Sequence, residues 1–461
     1  MTRRGFLGGA AATTFGFLAV PSRVLGREGQ QPPSDKLQVA CIGCGGKGGG
    51  DVRGVSGEQV IALCDVDWNR ARGSIKRHPK ARKFHDYRVM LDEMDKDIDA
   101  VTVSTPDHHH APASMRAMKR GKHVFCQKPL THDIREARLV AETARETGVV
   151  TQMGIQGHAF EGPRLVKEWV EAGWLGPVRE VWYWTNRPIW PQNVARPDTK
   201  DRVPESLDWN LWLGPASERP YVNKVYHPFR WRGWWDFGSG ALGDIACHAM
   251  DAAYWALELG YPTAIEAEAG PMTGESPPNW SRITIEFPAR GDKPPVKVVW
   301  NDGYGKKERP DRLNVPRPED LEADRTLPGI PKGHKGRFHI GGQLIIGDEA
   351  TIMAGVYCRS PRVIPEATMR DLLKNHKVPK TIPRSPGHMP EWIQACKANK
   401  PHDAKANFAD YAGPLTEMVL IGNMAVRTGK RVEWDAEKMR STNVPEANQY
   451  VGRTYRKGWE V

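Results

Sequence analysis

Lys36-Leu37-Gln38-Val39-Ala40-Cys41-Ile42-Gly43-Cys44-Gly45-Gly46-Lys47-Gly48 decides the fold of this 461-residue chain. The apolar run up to Ile42 reads as a buried strand, and it passes without a spacer into a G-x-G-x-x-G loop. Alone, that glycine pattern is weak. A second strand, Val60-Ile61-Ala62-Leu63-Cys64, ends in Asp65, 22 residues beyond Gly43, where a dinucleotide fold places the acid that takes the ribose hydroxyls. Each residue type then has a job. Gly43 allows the tight turn, Gly45 (with Gly46 beside it) lets backbone approach a pyrophosphate, and Gly48 permits close helix packing. Asp65 repels a 2′-phosphate, so NAD(H) is favoured over NADP(H), although Arg70 and Arg72 stand nearby.

Working outward, helical periodicity at 87–94, 111–120 and 134–147 alternates with apolar runs at 98–103, 123–126 and 149–153. Strands alternating with helices predict a doubly wound parallel sheet of the Rossmann kind over 37–155, with ligands beyond the strand C-termini. Two of those strand ends hold Thr105-Pro106-Asp107-His108-His109-His110 and Gln127-Lys128-Pro129. Adjacent histidines on a turn seldom converge on one ion, and no carboxylate or cysteine partner is evident, so no metal is expected. Thr105, Pro106, His110, Gln127 and Lys128 are read instead as lining the nicotinamide pocket.

Composition fits a soluble globular protein, with 39% hydrophobic and 26% charged residues. The net charge is +11, and basic residues are interspersed with acids; nucleic-acid binding wants a concentrated patch, so a solvated surface is the reading. Seven cysteines, mostly within apolar runs, read as buried thiols, Cys41 and Cys44 included. At the start, Arg3-Arg4 precedes Phe6-Leu7, a weakly apolar stretch from Gly8 to Val20, and small residues near Gly26. That stretch is too short to span a bilayer, and the arginine pair marks 1–26 as a Tat signal. Periplasmic or extracellular export of an already folded protein is expected, and with it a tightly bound nucleotide. Residues 27–36 are polar and Pro-rich, an extended arm.

From 156 to 461 the pattern changes. Eleven of the seventeen tryptophans fall between Trp169 and Trp255. Strand candidates at 178–184, 264–269, 283–287, 296–300, 343–346 and 351–354 have few helices between them, predicting an α+β domain with an open, mostly antiparallel sheet. The first of these alternates as if one face were polar. Residues 303–338 read as a long surface excursion, and helices at 390–398 and 411–427 close the chain. Asp244 to Leu257 reads as one helix with Asp244 in its first turn. Asp244, His248 and Asp251 share one face of it, and a carboxylate one turn from a histidine can orient the ring and stabilise its charged form. Trp190, Trp235, Arg187 and Arg232 sit in aromatic- and arginine-rich loops. Rings stack on apolar sugar faces while polar groups bind hydroxyls, which makes these four, with Asp244 and His248, the substrate-binding candidates.

These residues together resemble the Gfo/Idh/MocA oxidoreductases, over nearly the whole chain after the leader. Ser104-Thr105-Pro106-Asp107 is similar to the family's strand-end loop, and Gly121-Lys122-His123-Val124 leading to Lys128-Pro129 is similar to its E-K-P segment. Gln127 departs from that pattern by replacing Glu; it can still hydrogen-bond Lys128 but removes a negative neighbour. The Gln form resembles a secreted branch. The resemblance implies that His248 exchanges the hydroxyl proton, Asp244 orients it and Lys128 polarises the oxygen. It also implies a homodimer or homotetramer built on the open sheet.

The expected reaction is hydride transfer between bound nicotinamide and a secondary hydroxyl of a sugar or cyclitol. Free NAD(H) is scarce outside the cytoplasm, so chemistry that restores the nucleotide is favoured. One alternative is NAD-dependent glycoside hydrolysis through a transient keto-sugar. Another is a non-catalytic sugar- or nucleotide-binding protein, against which Lys128 and the Asp244–His248 pair argue.

Overall fold

The computed structural model describes residues 35–310, 341–376 and 380–460. The leader at 1–26, most of the arm and most of the excursion at 303–338 lie outside the described residues. The described residues from Gln38 onward form one compact unit built on two sheets.

The first sheet is six-stranded: β1 (Gln38–Ile42), β2 (Gln59–Cys64), β3 (Arg82–Phe84), β4 (Ala100–Val103), β5 (His123–Cys126) and β6 (Thr151–Met153). Its order is β3-β2-β1-β4-β5-β6 and every pairing is parallel. Order reverses on either side of β1, so a crevice opens between the C-terminal ends of β1 and β4. The helices between them are α1 (Lys47–Gly54), α2 (Trp68–Arg77), α3 (Tyr87–Glu93), α4 (His110–Met118) and α5 (Ile134–Thr147). Local chemistry sets their ends: Asp67 and Asp86 cap α2 and α3, Asp133 and Glu136 form a capping box on α5, and Gly148 closes it at φ 64°. β3 escaped sequence reading because only Phe84 of its three residues is buried.

The second sheet has nine strands: β7 (Val178–Thr185), β8 (Ala264–Ala269), β9 (Ser281–Phe287), β10 (Val296–Asn301), β11 (Gly341–Gly347), β12 (Thr351–Ala354), β13 (Arg362–Ile364), β14 (Val432–Asp435) and β15 (Arg440–Ser441). Their order is β13-β12-β11-β7-β10-β9-β8-β14-β15. β7 and β10 pair parallel and all other neighbours antiparallel, so the sheet is mixed but mostly antiparallel. The expected polar face of β7 is confined to its first residues; Val181 to Thr185 are buried on both sides. Its position inside the sheet explains this: Val181 and Tyr183 join the main core, while Trp182 and Trp184 pack with Val299, Leu344 and Met353.

Helices α6 (Glu161–Glu171), α7 (Trp209–Leu213), α8 (Gly240–Ala249), α9 (Asp251–Leu257), α10 (Glu366–Asn375), α11 (His388–Ala398) and α12 (Gly413–Thr428) are the other α-helices among the described residues. The helix expected to begin at Asp244 begins at Gly240 and is divided at Met250, which moves Asp244 out of the first turn and makes Asp251 the first residue of α9. α12 returns to the first sheet and packs on α5, with Arg138 on buried Glu417 at 2.8 Å. The tryptophan-rich stretch forms its own small core of Leu207, Trp212, Tyr226, Trp231, Trp234 and Phe237. It is fastened to the end of β2 by Asp67, which pairs with Leu207 through backbone and with His227 at 2.9 Å.

Candidate active site

The glycine loop fits a dinucleotide for a steric reason. Gly43 turns at φ 77°, and a Cβ there would lie 2.6 Å from the Ser104 carbonyl oxygen; at Gly48 it would lie 2.0 Å from the Gly43 carbonyl oxygen. Backbone therefore packs where side chains cannot, and α1 starts right after the loop with no side chain capping its first N–H groups. Gly48 does its expected packing job without lining the cleft. Asp65 takes the Cys44 N–H at 2.7 Å on one carboxylate oxygen and the Asp67 N–H at 2.9 Å on the other. It holds the loop shape itself, and burial pushes its pKa up despite those bonds.

Asp51 on α1 is a buried residue that sequence reading missed. It accepts from Ser104 Oγ at 2.8 Å, Gln127 Nε2 at 2.9 Å and Lys47 Nζ at 2.6 Å, joining the ends of β1, β4 and β5. Gln127 thus bonds Asp51 rather than Lys128. The amide fits because it donates to a carboxylate that a Glu at 127 would repel.

The cleft beyond the strands has a volume of about 480 Å³, within the usual ligand-site range. Gly43, Gly45, Gly46, Asp65, Thr105, Pro106 and Gln127 line one part; Lys128, Arg187, Trp190, Arg232, Asp244 and His248 line the other. Besides Gly48, two expected residues do not line it. The His110 ring is buried between the carbonyl oxygens of Pro129 (2.7 Å) and Thr105 (2.9 Å), bracing the two strand-end loops. Burial opposes its charge, but Cys126 and those carbonyls raise its pKa above the ordinary value. Trp235 is buried under Arg427, its carbonyl taken by His132 at 2.8 Å; a buried packing position replaces the substrate contact expected of it. His109 lines the cleft instead of His110, wedged against Gly214 and bonded to the Trp212 carbonyl at 3.0 Å.

At the far end, Asp244 Oδ1 accepts from Lys128 Nζ at 2.8 Å and Arg232 Nε at 2.9 Å. Burial alone would raise this carboxyl, but the two cations hold it well below the usual carboxylate range. Asp244 is therefore the anchor of Lys128 and Arg232 and not the orienter of His248. Two charged donors outcompete one neutral imidazole for the carboxylate. Asp251 is also diverted: its carboxylate takes His158 Nδ1 at 2.7 Å and the Tyr411 hydroxyl at 2.7 Å. His248 is left with no hydrogen-bond partner for Nδ1 among the described residues, and its ring lies 4.8 Å from that of Tyr357. Burial first, and Lys128 second, press its pKa well below the ordinary value, so the ring is neutral near pH 7.

Trp459 also lines the cleft and was not foreseen. It comes from residues 453–460, which run back over the first sheet. Arg453 holds Glu136 and the His108 carbonyl, Arg456 holds Asn210 and the Gly214 carbonyl, and Arg88 stacks 3.8 Å above the Trp459 ring. No local pattern in 453–460 announces this, because it depends on contacts hundreds of residues away.

All seven cysteines are free and buried. Burial pushes the Cys41 thiol up to about 12, consistent with packing. Among the described residues no group of His, Cys, Asp and Glu is arranged to hold a metal ion, and no helix is long and apolar enough to cross a membrane.

Residues 37–155 match the Gfo/Idh/MocA family, described as an oxidoreductase family with an NAD-binding Rossmann fold, and residues 173–294 match its C-terminal alpha/beta domain. The inositol 2-dehydrogenase of Rubrobacter xylanophilus is 32% identical over 260 residues, 53% of this chain and 72% of that protein. The inositol 2-dehydrogenase of Salmonella paratyphi B is 27% identical over 42% of this chain, and the match spans 58% of that relative's length. Among solved structures, the WlbA dehydrogenase of Bordetella pertussis, in complex with NADH and UDP-GlcNAcA, superposes with a TM-score of 0.56 at 16% identity, covering 87% of this chain and 99% of that one.

Proposed function

The chain belongs to the Gfo/Idh/MocA oxidoreductase family, and from that premise we propose that it exchanges hydride between a tightly held NAD(H) and a secondary hydroxyl of a sugar or cyclitol. One observation carries the reading: a single cleft is lined both by the glycine loop with Asp65 and by Lys128, Asp244 and His248. The inositol 2-dehydrogenases are named for a cyclitol, which agrees with a polyol substrate.

Gly43, Gly45 and Gly46 would hold the pyrophosphate, Asp65 the ribose, and Thr105, Pro106 and Gln127 the nicotinamide side; NADP(H) would meet the Asp65 carboxylate. When bound, the nicotinamide supplies a hydride acceptor. Lys128 donates a hydrogen bond to the substrate oxygen, from a position fixed by Asp244. The neutral His248 ring accepts the hydroxyl proton as the carbon gives up hydride and the carbonyl forms. Trp190 and Arg232 shape the substrate end.

Trp459 lines the same cleft as the glycine loop and should slow nucleotide escape. Trp459→Ala removes a buried ring worth about 1.5–3 kcal/mol. The nucleotide Kd should rise at least about tenfold, read by fluorescence titration of the stripped protein.

The proposal includes Tat export, supported by Arg3-Arg4 and the short apolar run after them, and a homodimer or homotetramer through the second sheet, supported by family resemblance. Export favours a second reading in which the nucleotide is reduced and reoxidised within one turnover, giving net glycoside hydrolysis. Denaturing the purified protein and weighing the released nucleotide, then analysing products from sugar and glycoside panels, tests both. Net keto-sugar or alditol supports oxidoreduction; cleaved glycoside with unchanged bound NAD supports the second reading. A protein that holds no nucleotide and acts on nothing contradicts both.

A further inference from the structure

The substrate end of the cleft is more positive than the chain itself neutralises. Lys128, Arg187 and Arg232 all line it, and Asp244 is the one carboxylate lining that end among the described residues. Its Oδ1 already serves both Lys128 and Arg232. His248 is neutral, as argued above.

Arg187 lies two residues beyond β7, and its main chain is pinned by Thr185 Oγ1 at 3.3 Å and by the Gly303 N–H at 2.6 Å. Its guanidinium has no ion-pair partner among the described residues. Nη1 donates to Asn186 Oδ1 at 3.2 Å, and Nε is buried with no hydrogen-bond partner. Burial raises the Tyr357 phenol, and the charges of Asp244 and Arg187 both act on it; Tyr357 in turn packs on His248. Arg187, Tyr357, Lys128 and His248 all line this one cleft. The other acid in the neighbourhood, Asp107, does not line the cleft: it is buried, bonded to Ser239, and pushed up to about 7 by burial.

An unpaired, partly desolvated guanidinium is costly unless a ligand completes it, and a planar carboxylate matches its donors. We propose that the substrate is an anionic carbohydrate, a sugar acid of the uronate or aldonate class, whose carboxylate is bound by Arg187 while the reacting hydroxyl lies between Lys128 and His248. This rests on the oxidoreductase reading of the same site.

The test uses the NAD-loaded protein with D-glucuronate, D-galacturonate and D-gluconate against D-glucose, D-galactose and myo-inositol. Binding is read by calorimetry and nucleotide reduction at 340 nm. A charge-assisted contact of about 1.5–3 kcal/mol predicts that at least one acid binds about tenfold or more tightly than its neutral counterpart. Arg187→Gln should abolish that advantage and Arg187→Lys should keep part of it, with nucleotide affinity as the folding control. Equal or tighter binding of the neutral sugars overturns the inference, as does an acid preference that survives Arg187→Gln. Neutral sugars that reduce the nucleotide without any acid advantage overturn it while leaving the oxidoreductase reading intact. An acid preference in binding with no reduction by any sugar supports the anion site and counts against hydride transfer. No binding by any of the six overturns both.

Discussion

His248→Ala is expected to slow reduction of the bound nucleotide by its sugar about 10²–10⁴-fold, the usual worth of a positioned acid–base group, with nucleotide affinity close to that of the parent protein. The ring sits where the cleft meets Lys128, and its Nδ1 is committed to no other group among the described residues. Its pKa is depressed by burial and by Lys128, so the proton-accepting form persists below the ordinary histidine value. The oxidation rate of the parent should therefore fall on the acid side only well under pH 6.5, and that limb should vanish in His248→Ala. Stopped-flow absorbance at 340 nm across pH checks both statements. A variant within threefold of the parent would remove His248 from the chemistry.

Asp244→Asn should have the other large effect, on stability and rate together. Lys128 and Arg232 both rest on Oδ1, and all three side chains are mostly buried. Removing the charge leaves two cations facing each other, and breaking such a buried arrangement costs about 3–5 kcal/mol. Asn keeps an acceptor oxygen, so the lower end is expected, read as a shift in the denaturation midpoint. Misplacing Lys128 by about 1 Å is worth about 10²-fold in rate. The sign with pH follows from linkage: the folded-state pKa of Asp244 lies below its unfolded value. Its contribution is complete above the unfolded value of about 3.9 and is lost as pH falls below it. Acid unfolding should begin at higher pH in proteins weakened elsewhere, and Asp244→Asn should flatten this part of the curve.

The nucleotide half was legible because its signals are local. Gly43, Gly45 and Asp65 carry their meaning in spacing, and the capping box at Asp133–Glu136 and the left-handed Gly148 mark the ends of α5 in sequence. The substrate half was legible in composition but not in pairing. Asp244 and His248 do lie one turn apart on α8, yet Asp244 pairs with Arg232 from the loop before α8 and with Lys128 just after β5, more than a hundred residues earlier. Gln127 likewise found Asp51, and Asp251 found His158 and Tyr411. Helical spacing ranks neighbours on one element and is blind to cations arriving from another. His110 and Trp235 were misjudged for a related reason. Polar and aromatic residues near a strand end or an arginine-rich loop can serve as buried braces, and only tertiary packing decides. Trp459 had no sequence signal at all.

Deuterium transfer tests the central claim most directly. The NAD-loaded protein is mixed, at equimolar concentration, with sugars and sugar acids deuterated at their carbinol carbons, and the nucleotide is then released and weighed. The account predicts that the nucleotide gains deuterium from at least one compound, and that His248→Ala gains it far more slowly. A nucleotide that stays bound and unlabelled, while the same compounds bind the cleft, would contradict hydride transfer at this site.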